Sequence, residues 1–437
     1  MGKSIWWDNV SLPEFKKLKE DKKTDVLIIG GGICGILCAY FLKQAGVDYI
    51  LVEGRKIVSG ITKNTTAKIT SLHGLVYDKL IQKSGREKAQ MYFKANEMAI
   101  SEYEKICQNI HCDFEKKSAF TYSLTDRKKI EAEVSALISL GGVANFYKKT
   151  ELPFEVEGAV CLTDQAQFNP IKFISAIVKD LNIYEDTFIK EINSTQAVSD
   201  HGKINAKKII VATHFPFINK HGEYFLKMYQ HRSYVIALEN AQQLKGMYVD
   251  ESNKGLSFRT YGNTLLLGGG GHRTGKQGGG WNELRSFKKQ YYPKSQETFN
   301  WATQDCMTLD SVPYIGKYSK NTPDLFVATG FNKWGITSSM VAARILCDLV
   351  QDKRNDYADV FFPSRSILKP QLLVNGIETI SNFAIPTVRR CPHLGCALKW
   401  NKAENSWDCT CHGSRFDKSG KLIDNPAKKN AGTIKSK

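Results

Sequence analysis

The stretch from Thr24 to Glu53 constrains this chain more than any other. DVLIIG (25–30) is a short, continuously apolar run, as a parallel strand buried on both faces requires. It runs into Gly30-Gly31-Gly32-Ile33-Cys34-Gly35, where Gly30, Gly32 and Gly35 fit G-x-G-x-x-G. Ile33, Leu37, Tyr40 and Phe41 share one face of the helix that follows, Gly46 ends it, and YILVE (49–53) makes a second strand. Gly30 permits the tight turn, Gly32 lets a pyrophosphate approach the backbone, and Gly35 allows close packing of helix on strand. The helix N-terminus offers N–H groups and its dipole to the phosphates. Glu53 is placed to accept hydrogen bonds from an unphosphorylated ribose. The unit predicts a bound dinucleotide. It also breaks the one long apolar run, Val26 to Leu42, into strand, turn and helix, so no membrane span is expected.

Later segments choose between FAD and NAD. SGITKNTTA (59–67) resembles the Thr-rich segment that follows the acidic residue in D-amino-acid-oxidase-like flavoproteins. DSVPYIG (310–316) and LFVATGFNKWGIT (325–337) resemble the closing flavin-contacting motif of that group. The resemblance implies FAD, with Thr62, Thr65, Thr66, Ala67, Gly330, Trp334, Gly335, Ile336 and Thr337 joining Gly30, Gly32, Gly35 and Glu53 as its contacts. The chemistry agrees: a strand feeds a Gly-containing turn and a helix from about Ile336 to Leu349, whose N-terminal dipole favours reduced, anionic flavin.

Near the carboxy end, CPHLGC (391–396) and CTCHGS (409–414) each offer one Cys and one His. Cys391, His393, Cys409 and His412 match the needs of a [2Fe–2S] centre with two thiolates on one iron and two imidazoles on the other. Two Cys and two His also make a tetrahedral zinc set, although C-x-H is too tight for the usual finger spacing. The pair of loops resembles a Rieske domain. In the respiratory-complex type, the positions of Cys396 and Cys411 form a disulfide over the cluster, and Ser414 hydrogen-bonds a cluster sulfur. Thr410 departs from the usual proline. WATQD (301–305), ATHFP (212–216) and GGHRTG (270–275) are similar to a bacterial subgroup in which the flavin oxidoreductase is fused to a Rieske domain, a likeness that covers nearly the whole chain.

The fold expected is α/β with α+β parts: a Rossmann-like FAD-binding domain, an antiparallel-sheet substrate domain and a small all-β cluster domain. An extension (1–23) precedes the oxidoreductase (24–365). Within it, 24–80, 155–220 and 305–355 are assigned to FAD binding, with 81–154 and 221–304 as substrate-domain insertions. A shortened Rieske domain (366–437) follows, with few residues between Pro363 and Cys391 for its base. Residues 68 to about 160 read as helices.

Eleven cysteines without an apolar leader in the first 23 residues point to a cytoplasmic chain rather than a disulfide framework. Of the net charge of +17, +7 falls in residues 369–437, which hold twelve Lys/Arg and five Asp/Glu. With no nucleic-acid module present, that favours an acidic electron-transfer partner, a ferredoxin or flavodoxin. The exposed imidazole edge of His393 or His412 is the expected electron exit.

Candidate catalytic residues are His73, Arg259 as a carboxylate clamp, and His272 and Arg273 after a run of glycines; Lys333 and Trp334 precede the flavin-facing helix. Cys306 resembles the cysteine that holds flavin covalently in sarcosine-oxidase relatives, though the subgroup does not require it. The leading reading is a flavin dehydrogenase of a small substrate, an amine or amino acid, passing electrons to the cluster. An oxygen-using oxidase with a vestigial cluster and a redox sensor or carrier stand as alternatives. A Rieske oxygenase is disfavoured, because no His pair with a nearby carboxylate is left for a mononuclear iron. Phe416 stands where high-potential Rieske domains carry a tyrosine hydroxyl, and one fewer hydrogen bond to sulfur lowers the potential. Protein-film voltammetry is expected to give a value below the top of the roughly −150 to +300 mV Rieske range.

Overall fold

The computed structural model describes residues 3–193, 195–218, 221–252, 255–365, 372, 374–377, 381–382 and 389–432. Its first sheet has eight strands, with Lys22–Ile29 lying parallel between Tyr49–Val52 and Lys203–Val211, and Leu325–Thr329 next outward. The apolar run of the first strand is explained by its two faces. Val26 and Ile28 pack in one core with Ile36 and Leu37 of the helix Ile33–Gln44 and with Met340 and Ile345 of the helix Gly335–Leu349. Leu27 and Ile29 enter a second core with Val211, Phe215 and Tyr314. Neither face can tolerate a charge.

The second sheet has nine strands, among them Met228–Glu239, Ser257–Tyr261, Thr264–Arg273 and Gln296–Thr308. Two expectations change here. Tyr77–Ser84, Arg86–Cys107 and Arg127–Ser139 are helices, but Glu115–Ser123 and Ala144–Tyr147 are strands of this sheet. Both strands carry aromatic and small residues, and cross-strand pairing with Gly158–Gln167 outweighs the helical spacing around them. Gly158–Gln167 itself lies in this sheet, not in the flavin-binding one to which 155–220 was assigned. The amino-terminal segment is tied down: Ile5–Trp7 forms a 3-10 turn with Trp6 fully buried.

The carboxy-terminal lobe is a four-stranded antiparallel sheet, Leu398–Asn401, Ser406–Cys409, Arg415–Asp417 and Leu422–Asp424. The shortened base expected before Cys391 falls largely outside the described residues. The lobe docks on the body through buried charge. Glu404 accepts from Arg232 Nε, on the strand Met228–Glu239, at 3.0 Å, and from Arg415 Nη2 of the lobe at 2.8 Å. Arg415 also donates to Asp408 and Asp424, each at 3.1 Å. The side chains of Arg232, Glu404, Arg415 and Asp408 are at most 2% exposed. Among the described residues no helix is long and apolar enough to cross a membrane.

Burial raises the pKa of Glu404, but Arg232 and Arg415 outweigh it and hold the carboxyl down at about 2. A depressed folded pKa contributes stability above the unfolded value near 4.3, and that contribution disappears as pH falls through the folded value. About 3 kcal/mol is expected to be lost between roughly pH 4.5 and pH 2. Thermal melts over that window should show it, and Glu404→Gln should melt lower at pH 7 while losing most of this acid dependence.

Candidate functional site

A cavity of about 600 Å³ runs between the two large sheets. Gly30, Gly32, Glu53, Thr62, Thr65, Thr66, His73, Trp334, Gly335 and Ile336 line it. Its glycine turn is obligatory. Gly30 has φ +117°, and a Cβ there would stand 2.5 Å from Ala212 O; one on Gly35 would stand 2.0 Å from Gly30 O. Glu53 is fixed because its oxygens accept from Gly31 N at 2.8 Å and Arg55 N at 2.9 Å, leaving further lone pairs for ribose hydroxyls. Thr62 Oγ1 accepts from Ile33 N at 3.1 Å, at the start of the first helix. A cradle that a Cβ would fill, beside a helix N-terminus and an anchored carboxylate, fits a dinucleotide.

The Thr-rich loop is held from outside by its carbonyls. Ser4 Oγ donates to Lys63 O at 2.6 Å, Trp301 Nε1 to Asn64 O at 2.9 Å and Trp6 Nε1 to Thr65 O at 2.7 Å. Arg259 Nη1 donates to Thr66 O at 2.5 Å and Ala67 O at 2.8 Å. Five successive carbonyls therefore point away from the cavity. This corrects the clamp expected of Arg259, which is fully buried, packs over the Trp6 ring at 5.2 Å and is absent from the cavity wall. Desolvation lowers its guanidinium to about 9. The sequence could not show that the amino-terminal segment covers this arginine.

The remaining candidates divide. His73 lines the cavity, yet both its ring nitrogens are engaged, Nε2 with Thr70 O at 2.8 Å and Nδ1 with Tyr92 OH at 2.7 Å. The Thr70 carbonyl can only accept, so Nδ1 accepts from the phenol, and burial lowers the ring to about 3. A neutral, doubly bonded ring stacked on Trp334 at 4.8 Å orients that indole and has no site left for a substrate proton. His272 and Arg273 lie outside the cavity, His272 against Tyr234 OH at 3.0 Å and Arg273 over the Tyr229 ring. Gly35, Ala67, Gly330 and Thr337 also stand behind the wall; Thr337 Oγ1 donates to Thr70 O at 2.9 Å.

Three wall residues carry charge that the sequence reading did not weigh together: Lys68, Asp305 and Lys333. Desolvation, with Arg259 nearby, lowers Lys68 to about 7. Burial raises Asp305 to about 6 against the pull of Lys333 and Arg232, and burial lowers Lys333. WATQD and FNKWG held the signal for two of them. Cys306 is buried on the same wall with its Sγ 3.5 Å from His214 O.

The cluster loops close in the same way. Cys391 N donates to Cys396 O and Gly395 N to Cys391 O, at 2.8 and 2.9 Å. Cys409 N donates to Ser414 O and Gly413 N to Cys409 O, at 2.8 and 3.0 Å. Cys396 and Cys411 are joined in a disulfide. The buried thiols of Cys391 and Cys409 sit side by side, with Ser414 within hydrogen-bond reach of Cys391. The rings of His393 and His412 are 5.0 Å apart. His412 is 1% exposed and neither ring nitrogen has a hydrogen-bond partner, which suits a metal ligand. Two thiols and two imidazoles converging from two loops fit a [2Fe–2S] centre. The burial of His412 corrects the expectation that either imidazole edge is an exit; only His393 is partly exposed.

Comparison with known proteins agrees with both parts. The model of the FAD dependent oxidoreductase family matches residues 25–349, and that of the Rieske [2Fe-2S] domain matches 378–435. A putative Rieske 2Fe-2S iron-sulfur protein of Bacillus subtilis, YhfW, is 33% identical over 97% of this chain and 96% of its own. The cytochrome b6-f complex iron-sulfur subunit of Prochlorococcus marinus is 46% identical over 13% of this chain and 30% of its own. Among solved structures, L-proline dehydrogenase from P. horikoshii covers 79% of this chain and 98% of its own with a TM-score of 0.66 at 15% identity. Glycine oxidase from Geobacillus kaustophilus covers 79% and 99% with a TM-score of 0.66 at 17% identity. These two show a shared fold.

Because the outer clasp sets the loop that faces FAD, Trp6→Phe and Arg259→Met are each expected to raise the Kd for FAD about tenfold, the loss of roughly 1.4 kcal/mol of positioning. Fluorescence titration of the apoprotein measures it, and unchanged affinity in both variants would contradict the clasp.

Proposed function

The chain belongs to the family of FAD-dependent oxidoreductases and carries a Rieske [2Fe–2S] domain behind it, and we propose that it is a dehydrogenase of a small amine or amino acid whose electrons leave through the cluster. The observation that carries this reading is the docking of the second cluster loop on the wall of the FAD cavity: Gln230 Nε2 donates to His412 O at 2.7 Å and Gln304 Nε2 to Gly413 O at 2.9 Å. FAD supplies a two-electron acceptor and the [2Fe–2S] centre a one-electron carrier. Gly30, Gly32, Glu53, Thr62, Thr65 and Thr66 would hold the first, and Cys391, His393, Cys409 and His412 the second.

The cavity residues bind, orient and exclude water. Lys68 and Lys333 present ammonium groups suited to a substrate carboxylate, and Asp305, raised to about 6 by burial, can take the proton of a substrate ammonium at its carboxylate oxygen near neutral pH. His73 keeps the Trp334 indole in one plane at the cavity wall. Asn425, Ala427 and Lys428 of the lobe close the cavity on the side of Thr213 and His214.

An acidic electron-transfer protein, a ferredoxin or flavodoxin, suits the outer face of the lobe. Glu404, Asp408 and Asp424 turn inward to Arg415, whereas Arg390, Lys399, Lys402, Lys418, Lys421, Lys428 and Lys429 are exposed. Transfer to such a partner is expected to slow as ionic strength rises.

Anaerobic mixing with a panel of amino acids and amines, followed by rapid-scan spectroscopy and EPR, tests the function. The expected result is bleaching of flavin and cluster together; flavin bleaching with an oxidised cluster would leave a plain oxidase. For a carboxylate substrate so identified, Lys68→Ala is expected to raise KM about tenfold, the scale of one charge-assisted bond. Lys68→Arg should restore most of it, and an uncharged amine substrate should show no change.

A further inference from the structure

The wall between the FAD cavity and the cluster loops is one strand thick. Strands Met228–Glu239 and Gln296–Thr308 pair with Gln230 opposite Cys306, His231 opposite Asp305 and Arg232 opposite Gln304. Asp305 and Gln304 both line the cavity, and Gln304, with Gln230, also reaches the carbonyls of Gly413 and His412. A second strip of wall does the same. Thr213 and His214 line the cavity, and the next residue, Phe215, has its ring 6.4 Å from the His412 ring. Phe225 closes on that imidazole from another side at 6.1 Å. Asn425 fastens the lobe to this strip by donating to Thr213 O at 2.7 Å and Phe215 O at 2.8 Å.

His393 is placed otherwise. Its ring stands at 84° to that of His412, it is partly exposed, and Pro392 beside it is exposed. Arg390 is exposed and donates to Gly395 O in the same loop at 3.0 Å, and the exposed Lys428 adds positive charge near the imidazole.

We infer that the two histidines divide the electron traffic, His412 with the wall Thr213–Phe215 and Gln230 forming the inlet from the FAD cavity, and His393 with its basic surround forming the outlet. This rests on the proposed passage of electrons from FAD to the cluster. For each substrate molecule oxidised, two electrons cross the wall one after the other. The cluster, held by Cys391, His393, Cys409 and His412, would carry them singly, one ferric ion becoming ferrous for each electron and being returned to ferric by an external one-electron acceptor at the His393 face. The two protons given up by the substrate leave to water.

The test needs no substrate. FAD in the anaerobic holoenzyme is photoreduced with EDTA as donor while the FAD absorbance and the EPR signal of the reduced cluster are followed, and ferricyanide then serves as the anionic one-electron acceptor. Gln230→Leu and Phe225→Ala are each expected to slow FAD-to-cluster transfer at least tenfold, with the EPR line shape and direct reduction by dithionite unchanged. Arg390→Glu, in the His393 loop and away from the cavity wall, should leave that internal step at the wild-type rate and slow reoxidation by ferricyanide severalfold. If one inlet variant loses its cluster, the other decides. Wild-type internal rates in a cluster-loaded inlet variant, or a slowed internal step in cluster-loaded Arg390→Glu, would overturn the division of roles. A wild-type cluster that stays oxidised beside reduced FAD would instead remove the proposed function.

Discussion

Glu404 is a buried carboxylate clamped between two buried guanidiniums, one from each part of the molecule, and the position of the cluster lobe depends on it. Arg232 comes from the second sheet of the body and Arg415 from the lobe. Burying three charges is costly, and mutual attraction offsets the cost only when every partner is present. Removing one leaves an uncompensated buried charge, worth roughly 3–5 kcal/mol of destabilisation. Such a network tolerates little sliding, so it fixes the register in which the lobe meets the body. It also sets the sign of the outer surface, because the acids Glu404, Asp408 and Asp424 are spent on Arg415 while the lysines remain outside.

The same ribbon that supplies Arg232 separates the two cofactor sites. In Met228–Glu239 and Gln296–Thr308, Gln230 and Arg232 reach the lobe, Asp305 stands in the cavity wall, and Gln304 does both. One pair of strands thus serves two chemistries without an intervening layer. The glutamines suit the boundary: each amide can donate to a loop carbonyl while its own oxygen accepts within the wall, as Gln304 Oε1 does from Thr274 Oγ1 at 3.0 Å. No charge is stranded between the sites by this arrangement.

What could be read from the sequence was local. The glycine turn, Glu53 and the strand and helix around them lie within thirty residues, and each constrains its neighbours directly. The cluster loops were legible for the same reason, since all four donors and both disulfide cysteines lie within twenty-two residues. Arg259 was misjudged because its environment is assembled from Trp6, Thr66 and Ala67, all far from it in sequence. Of the glycines before His272 and Arg273, Gly268, Gly269 and Gly271 do line the cavity, while Gly271 also makes room for His231. The two side chains that follow them turn to other parts of the chain, His272 to Tyr234 and Arg273 to Tyr229. Glu115–Ser123 was hidden between helices whose spacing dominated the window, and its pairing with Gly158–Gln167 is non-local.

The charges left in the cavity wall bound the ligand more tightly than the fold does. Shared architecture with L-proline dehydrogenase and glycine oxidase says nothing of which substrate enters here. Lys68, Lys333 and Asp305 set two basic groups and one acidic group on the wall. Desolvation lowers both lysines and raises the aspartate, so in each case burial opposes the charged form. An incoming carboxylate would relieve the lysines by pairing with them, and an incoming ammonium would do the same for Asp305. A neutral apolar ligand would relieve neither and would deepen the desolvation of all three. An amino acid, one of the two substrate classes proposed, would relieve both signs at once.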